Sequence, residues 1–414
     1  MACTSSLYVH IPFCLSRCDY CDFFSLPAHS FSESLTSLSK RVVDALLREA
    51  SSRKESLQDS SSASSAPWRT VYIGGGTPSL LPPQEIFRLL AVLSPGSGEV
   101  TVEANPGDIN VEWLDAIRAG GATRLSLGVQ SLDAQVLKQS GRRSNSPQSS
   151  APGANPRDTA LAALSLIRNH WTGGFSADII AGLPGETLTG FLAGLKELLF
   201  FNPSHISMYS LIIGEQTPLG RRCASDAALE QELLDSGDEL WLAGRDFLED
   251  AGFAQYEVSN FALRDRAGTG APSIQSRQNQ SAHNLVYWDM ESWLGIGPGA
   301  VGTLFDGEMS VRYTNTRDTA AWLENPLIPP ETEYIDRETL IFEYIMMGLR
   351  KREGISRNVF FSRFGIPLED VIGDAISRWK EKGLAFDNGE TGGLDTMGLN
   401  REGLLFLNRF LGEI

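Results

Sequence analysis

Strand-like and helix-like segments alternate along most of this chain, and that order limits the folds it can adopt. The run TVYIGGG at 70–76 is typical of a short strand, and PQEIFRLLAVL at 83–93 has the apolar spacing of a helix. The pairing recurs in EVTVEANP with VEWLDAIRAGG, in TRLSLGVQ with LDAQVLKQ, and onward to HISMYSLIIG. With SLYVHIPF at 6–13 there are about six or seven units, which predict an α/β fold of parallel strands, as an open barrel or a doubly wound sheet.

The residues suited to chemistry cluster where the predicted strands end. They are residues 14–21, residues 74–77, Glu103, Gln130 and Asp178. In β/α barrels, the loops at the carboxyl ends of the strands build the active site. This shared position favours a partial (βα)6-type barrel over a doubly wound sheet.

The domain division follows from where the alternation stops. Beyond Thr332, RETLIFEYIMMGLRKREGI and LEDVIGDAISRWKEKGLAF have helical spacing with short turns. We therefore expect the barrel within residues 1–320 and a small helical C-terminal domain within 321–414. Small and polar residues dominate three further segments, which we predict to be flexible surface insertions: 50–67, 144–156 and 264–280.

The charge balance excludes one class of partner. The 414 residues contain 35 Lys and Arg against 51 Asp and Glu, a formal net charge of -16, which is poorly suited to a phosphate backbone. We expect no nucleic-acid partner.

No apolar run is long enough for a membrane span, and the cysteines begin too early to leave room for a signal peptide. Three clustered cysteines indicate metal ligation in a reducing compartment, so we expect a cytoplasmic protein.

The cysteines at 14, 18 and 21 have the spacing C-x3-C-x2-C, with no fourth cysteine nearby. A structural zinc site needs four ligands, and His10 or His29 could supply the fourth. A [4Fe-4S] cluster can instead take cysteine on three irons and leave its fourth iron open for a small ligand. The spacing favours the cluster and leaves zinc as the alternative.

The stretch YVHIPFC…CDYCDF resembles the radical S-adenosylmethionine (radical SAM) superfamily, and within it the HemW branch, relatives of oxygen-independent coproporphyrinogen III oxidase. The likeness continues in order through GGGTPSLL, VEANPGD, LSLGVQS, DIIAGLPGET, YEVSNFA, HNLVYW and GIGPGA, across nearly all of residues 6–305. The resemblance implies a [4Fe-4S] cluster on Cys14, Cys18 and Cys21, with S-adenosylmethionine (SAM) on its open iron.

The same resemblance implies a set of SAM contacts. Glu103 would accept hydrogen bonds from the ribose, and Arg142 would pair with the SAM carboxylate. The glycines would let backbone approach the ligand closely, although a glycine-rich turn alone is the structural alternative. The implied contacts are Tyr8, Gly75, Gly76, Thr77, Glu103, Gln130, Arg142 and Asp178.

Two positions depart from the related patterns. The decarboxylating oxidase has an extra cysteine where this chain has Phe23, and a long extension where this chain has seven residues before Tyr8. Both differences favour a haem chaperone over the oxidase. Ser144 stands where the family usually has histidine, and we assign no effect to that change.

The resemblance implies that haem is bound as cargo and passed to a respiratory protein at the membrane. His283, in HNLVYW, is the candidate haem contact, against the alternative of a hydrogen-bonded structural histidine. An electron donor for the cluster is a further implied partner, and a homodimer stays open. The rival hypotheses are a coproporphyrinogen-type oxidase, a tRNA-modifying radical enzyme, which the acidic charge disfavours, and a zinc-stabilised barrel.

Overall fold

The computed structural model describes residues 6–58, 68–94, 96, 98–142, 155–264, 277–305, 309–389 and 395–414. Its centre is a sheet of twelve strands. The strands in chain order are β1 Ser6–Ile11, β2 Phe13–Cys14, β3 Leu26–Pro27, β4 Thr70–Gly75, β5 Glu99–Ala104, β6 Arg124–Gln130, β7 Gly174–Ala181, β8 His205–Ser210, β9 Phe253–Gln255, β10 Asn260–Leu263, β11 Trp293–Ile296, β12 Val301–Phe305, β13 Ser310–Thr314, β14 Glu331–Ile335, β15 Ile355–Ser356, β16 Ala385–Asp387 and β17 Thr396–Leu399.

Helices connect most of these strands. They are α1 Leu35–Gln58, α2 Pro83–Leu93, α3 Val111–Ala119, α4 Ala134–Gln139, α5 Pro156–His170, α6 Leu188–Leu199, α7 Pro218–Ser225, α8 Ala227–Asp250, α9 Ala282–Trp288, α10 Thr319–Glu324, α11 Arg337–Gly348, α12 Arg357–Phe364, α13 Glu369–Glu381 and α14 Leu407–Leu411. Among the described residues, none of these helices is long and apolar enough to cross a membrane.

Six parallel strands, each followed by helix, form the part of the sheet that was predicted. The strand order runs β1-β4-β5-β6-β7-β8, with every neighbouring pair parallel. β11 lies parallel to β1 on its other side, and antiparallel strands flank both ends. The α/β fold with a partial (βα)6 barrel is therefore confirmed.

Alternation along each strand gives the sheet two different faces. On β4, Val71 and Ile73 are fully buried in the core that also contains α2 and α3, whereas Tyr72 lines the interior cavity. On β5, Val102 packs into the same core and Glu103 faces inward. One face of the sheet therefore packs against the helices, and the other presents polar side chains to the interior cavity.

The C-terminal helices α11–α14 have a core of their own, built from residues such as Leu340, Phe360 and Trp379. The helical C-terminal region is confirmed, and a three-stranded sheet, β15-β17-β16, accompanies it. The three-stranded sheet was not predicted, because its strands are only two to four residues long.

The large twelve-stranded sheet continues to Ile335, because β14 pairs with β13. The division at residue 320 stays a prediction.

All three predicted insertions are wrong at one edge, and the one at 50–67 is wrong over the longest stretch. Residues 50–58 belong to α1, because the amphipathic helix that begins at Leu35 continues through them and buries Ala50. Pro156 begins α5 after an Asn155 N-cap, and residues 277–278 are helical. The remaining insertion residues, 59–67, 144–154 and 265–276, lie outside the described residues.

Candidate functional site

The three clustered cysteines lie on one loop at the carboxyl end of β1. Cys14 ends the short strand β2, and the Cys21 amide donates to the Cys18 carbonyl oxygen at 3.2 Å. Asp19 anchors the loop at two points, because its amide donates to Ser140 and its carbonyl oxygen accepts from Leu219. All three thiols are half-buried and line the same cavity.

The glycine-rich turn after β4 is joined directly to the cysteine loop. The Gly76 amide donates to Ile11 at 2.7 Å, and the Thr77 amide donates to Phe13 at 2.9 Å. A Cβ atom on Gly76 would lie 2.5 Å from the Phe13 carbonyl oxygen, so only glycine permits this approach. The Thr77 hydroxyl in turn donates to Cys14 Sγ at 3.2 Å. The glycine is therefore required by the packing of the protein itself, whether or not a ligand also approaches it.

Arg142 connects the cysteine loop to β6. Its Nη2 donates to the carbonyl oxygen of Gly128 at 2.5 Å and to Asn105 Oδ1 at 2.9 Å, and its Nη1 lies 3.9 Å from Cys18 Sγ. Within the described part of the chain no carboxylate forms an ion pair with this guanidinium. Ser144 and Arg143, the residues that follow, lie outside the described residues.

A cavity of about 310 Å³ extends from the cysteine loop into the interior of the partial barrel. Seven of the nine residues predicted to contact SAM or haem line it. They are Gly75, Gly76, Thr77, Glu103, Gln130, Arg142 and Asp178. Four adjacent strands and the loops after them supply these residues, so residues far apart in sequence converge on one cavity wall.

Burial changes the acidity of two of the carboxyl groups that line this cavity, those of Glu103 and Asp178. It raises the pKa of Glu103 to about 7, against the opposing effect of the Tyr72 hydroxyl, which donates to Glu103 Oε1 at 2.6 Å. Burial also raises the pKa of Asp178, although the Ser126 hydroxyl donates to its Oδ2 at 2.8 Å. A carboxyl group with a pKa near neutrality changes its hydrogen-bonding capacity with small changes of pH.

Gln130 has an unusual backbone for its residue type. Its φ angle is 66°, and the pairing of β6 with β7 shifts register between Gly128 and Gln130. A left-handed conformation is uncommon for a residue other than glycine, and such residues concentrate at functional sites. The bulge ends the strand and directs Gln130 to the cavity wall.

Tyr8 and His10 lie behind the cavity instead of lining it. The Tyr8 hydroxyl lies 3.0 Å from His10 Nδ1, and His10 Nε2 lies 2.9 Å from the Phe24 carbonyl oxygen. Burial lowers the pKa of His10 to about 4. Because both ring nitrogens have partners, His10 is not available as the fourth ligand of a zinc ion. Tyr8 remains a predicted SAM contact that the structure does not bring to the cavity.

His283 has the environment expected of a hydrogen-bonded structural histidine. It is fully buried, with Nδ1 2.7 Å from the Thr70 hydroxyl and Nε2 2.9 Å from the Tyr287 hydroxyl. Burial lowers its pKa to about 3. Since both nitrogens are occupied and no part of the ring is exposed, neither nitrogen is available to a haem iron in this conformation.

The chemistry of the donor set fits an iron–sulfur cluster. Three thiols face one cavity, and hydrogen-bond donors from Thr77 and Arg142 reach two of the sulfur atoms, as expected where protein groups tune cluster thiolates. Burial raises the pKa of Cys21 to about 11 and also raises that of Cys14. Cluster binding must therefore release protons from these thiols. Within the described ranges, no three His, Cys, Asp or Glu side chains are grouped as ligands of a single metal ion.

Sequence reasoning missed the deeper wall of the cavity. Arg124 and Thr101, near the starts of β6 and β5, line it together with the hydroxyl groups of Ser126, Ser176 and Ser207. The available signal was alternation, because polar residues at every second position of predicted buried strands mark an interior polar face.

Comparisons with known proteins agree with this architecture. The radical SAM superfamily matches residues 8–196, and the HemN C-terminal domain matches residues 335–390. Heme chaperone HemW of Escherichia coli (strain K12) is 30% identical over 416 residues, covering 98% of this chain and 97% of the relative. HemW of Bacillus subtilis (strain 168) is 28% identical over 422 residues, covering 99% and 100%.

A mitochondrial relative and a solved structure extend the comparison. The mitochondrial radical S-adenosyl methionine domain-containing protein 1 of Mus musculus is 31% identical over 367 residues, covering 85% of this chain and 74% of the relative. The structure of coproporphyrinogen III oxidase from Escherichia coli, described as a radical SAM enzyme, has a TM-score of 0.73 at 20% identity, covering 99% of this chain and 89% of its own. At that identity the likeness supports the fold alone.

Proposed function

The chain belongs to the HemW family within the radical SAM superfamily, and on that basis we propose that it is a haem chaperone that binds a [4Fe-4S] cluster, SAM and haem. One observation carries the proposal. The three cysteines and seven residues implied as SAM contacts converge on a single cavity at the carboxyl ends of parallel strands. That edge is where β/α barrels place their ligands.

Each side chain has a role that its contacts support. Cys14, Cys18 and Cys21 would hold the cluster, which when bound supplies an electron and an open iron to SAM. Thr77 and Arg142 donate toward the sulfur atoms of Cys14 and Cys18. Arg142 would also pair with the carboxylate of SAM.

The inner wall is suited to the rest of SAM. Glu103, once ionised, can accept hydrogen bonds from ribose hydroxyls. Asp178 and Gln130 face the same space from the neighbouring strands.

The mouth of the cavity supports haem as the cargo. Phe23 is 69% exposed and Ile212 is 76% exposed, and both line the cavity. Two large apolar side chains left in water beside a polar cavity match a ligand with an apolar ring and charged edges, such as a porphyrin. Haem contact would then fall to this apolar mouth, with His283 supporting the wall from behind.

The second candidate function is the oxidase-type reaction on coproporphyrinogen. The observation in its favour is that the polar cavity continues inward beyond Glu103 to Arg124, which leaves space for a second small molecule beside SAM. Phe23 counts against it, since the oxidase has a cysteine at that position. The chaperone remains the primary proposal.

The remaining partners belong to the same proposal. Haem would be delivered to a respiratory protein at the membrane, and a separate donor would reduce the cluster. A cytoplasmic location, a possible homodimer and the domain division near residue 320 are parts of this hypothesis that need their own measurements.

Anaerobic reconstitution with iron and sulfide tests the proposal. We expect Cys14→Ala to lose the cluster while haem binding, followed by its absorbance spectrum, is retained. Cys223→Ala is the matched control, because Cys223 is buried outside the cavity and its loss should affect neither. A wild-type protein that binds no haem would contradict the chaperone. Formation of 5′-deoxyadenosine coupled to loss of coproporphyrinogen would establish the oxidase instead.

A further inference from the structure

The deepest part of the cavity contains a buried cation with incomplete hydrogen bonding. Arg124, the first residue of β6, is 4% exposed and lines the cavity. Its Nη1 donates to the Asn279 carbonyl oxygen at 3.2 Å, but its Nη2 has no hydrogen-bond partner among the described residues. No carboxylate in the described part of the chain lies within ion-pair distance of it.

A neighbouring polar atom is in the same condition. Thr101 is paired in register with Arg124 on the adjacent strand and is 1% exposed. Its hydroxyl also has no hydrogen-bond partner within the described residues, and it lines the same cavity. We call Arg124 and Thr101 together the cavity floor. Two unpartnered buried polar groups on adjacent strands therefore face one space.

Asp178, a buried acidic residue that lines the same cavity, already accepts hydrogen bonds from other donors. Asp178 accepts hydrogen bonds from Ser126 and Ser176, and Arg124 acts on it only through the electrostatic effect that lowers its pKa. Burial lowers the pKa of the neighbouring His205, and the positive charge of Arg124 lowers it further, so His205 does not supply a negative charge to the floor. A buried charge is costly unless it is paired, so the floor lacks an anion.

We propose that the cavity floor binds a carboxylate group of the ligand that occupies the cavity, a role that rests on the proposed function. The planar guanidinium of Arg124 offers the fork geometry that suits a carboxylate, and the Thr101 hydroxyl can donate beside it. Two sources carry this chemistry: a propionate of haem, and the amino-acid carboxylate of SAM. Arg142, beside the cysteines, is the expected partner of the SAM carboxylate. The cavity floor is therefore available to a haem propionate that enters through the apolar mouth.

The test compares ligands with and without carboxylates in the reconstituted full-length protein. Haem and haem dimethyl ester, whose propionates are uncharged, are titrated into wild type, Arg124→Gln and Arg124→Lys, while SAM binding is measured by equilibrium dialysis. Arg245→Gln is the matched control, because Arg245 is 3% exposed but contacts Arg401 and Glu402 away from the cavity. Melting temperatures are recorded for every variant.

We expect Arg124→Gln to weaken haem binding at least tenfold, with unchanged affinity for the dimethyl ester and for SAM, and Arg124→Lys to restore part of the loss. A tenfold loss confined to SAM would also support the floor and assign the carboxylate to SAM. Equal weakening of haem and its ester, or no change in any ligand, would overturn the proposal. If wild type binds no haem the chaperone function fails by itself, and an unchanged SAM affinity would then overturn the floor as well.

Discussion

At Glu103, burial gives the carboxyl group a pKa of about 7, close to the pH at which the protein would work. Only the ionised form accepts hydrogen bonds from both ribose hydroxyls without offering a competing proton. As pH rises through 7 the ionised fraction increases, so the affinity for SAM should increase between pH 6 and pH 8. Equilibrium dialysis of SAM across this range measures the effect.

Glu103→Gln is the control for that titration. The amide cannot ionise, so we expect a flat pH profile and an affinity about tenfold below that of wild type at pH 8, the usual scale for losing a hydrogen bond to a charged group. The Tyr72 hydroxyl can still donate to the amide oxygen, which limits any effect on folding. A variant that keeps the wild-type pH dependence would show that another group titrates.

Glu186 is a buried carboxyl group outside the predicted ligand contacts. Its oxygens accept from the Ser131 hydroxyl at 2.9 Å and the Gly182 amide at 3.2 Å, yet burial raises its pKa from 4.5 to about 7. The folded state thus favours the protonated form. The stabilisation that comes from protonated Glu186 is fully present below pH 4.5 and is lost as pH rises through 7. The free energy of unfolding falls by up to about 3 kcal/mol over this range.

We expect Glu186→Gln to remove this loss. An amide can accept from Gly182 and donate to Ser131, and it carries no charge to bury. Urea unfolding at pH 5 should give similar free energies of unfolding for both proteins, whereas at pH 8 the variant should be the more stable. Equal stabilities at both pH values would mean that the Glu186 carboxylate is adequately solvated.

A substitution at His283 separates its two interpretations, as a structural histidine and as a haem ligand. Replacing it with Ala leaves the Thr70 and Tyr287 hydroxyls without their buried partner, at a cost of about 2 kcal/mol. We expect a lower melting temperature with an unchanged haem absorbance maximum and at most a small change in haem affinity. A shifted absorbance maximum in a stably folded variant would restore His283 as an iron ligand.

At the scale of elements, the turn after β4 controls the position of the cysteine loop. Gly75 has a φ of +104°, and a Cβ there would lie 2.6 Å from the His10 ring. His10 in turn contacts the Phe24 carbonyl oxygen on the far side of the cysteines. A side chain at Gly75 would therefore displace His10 and, through it, the loop that carries the thiols.

Gly75→Ala and Gly252→Ala separate backbone strain from this displacement. Gly252 has a similar φ of +94° with nothing within 4 Å of a Cβ. Gly252→Ala should lower the free energy of unfolding by about 1 kcal/mol, which is the conformational penalty of alanine alone. Gly75→Ala should lower the free energy of unfolding by more than this and should also reduce the iron and sulfide content after reconstitution. Equal stability losses with full cluster content in both variants would contradict this coupling.

Elements whose signal is local were predictable, and those that depend on distant contacts were not. The strand ends near Glu103 and at Gln130 were predicted correctly, because each follows a short run with alternating apolar residues. Asp178 was expected at a strand end as well, but it lies within β7, three residues before the strand ends at Ala181. The burial of His283 was not readable, because it depends on Glu99, far away in sequence, accepting from the His283 amide at 2.9 Å. Likewise, the serine-rich sequence after Ala50 concealed the end of α1, since a packed helix overrides weak local propensity.

On the scale of the whole molecule, the C-terminal core is joined to the barrel through the segment that follows α9. Arg363 donates to the Asp289 carbonyl oxygen at 3.3 Å and to the Met290 carbonyl oxygen at 2.6 Å, and its guanidinium lies 4.7 Å from the centre of the Phe305 ring. Met290 itself is buried in the C-terminal core. This contact couples the C-terminal helices to the helix that carries His283.

Arg363→Ala should weaken that coupling without disturbing the cavity. We expect amide hydrogen exchange in α12 and α13 to accelerate about tenfold, while β5 and β6 keep their protection, because local opening reports local stability. Arg378→Ala is the control. The Arg378 side chain is half-exposed and forms an ion pair with Glu413 at 3.5 Å, so its loss should have little effect. Equal acceleration in β5 and β6 would mean that the two cores unfold as one unit. In that case the C-terminal helices would contribute directly to the stability of the cluster site.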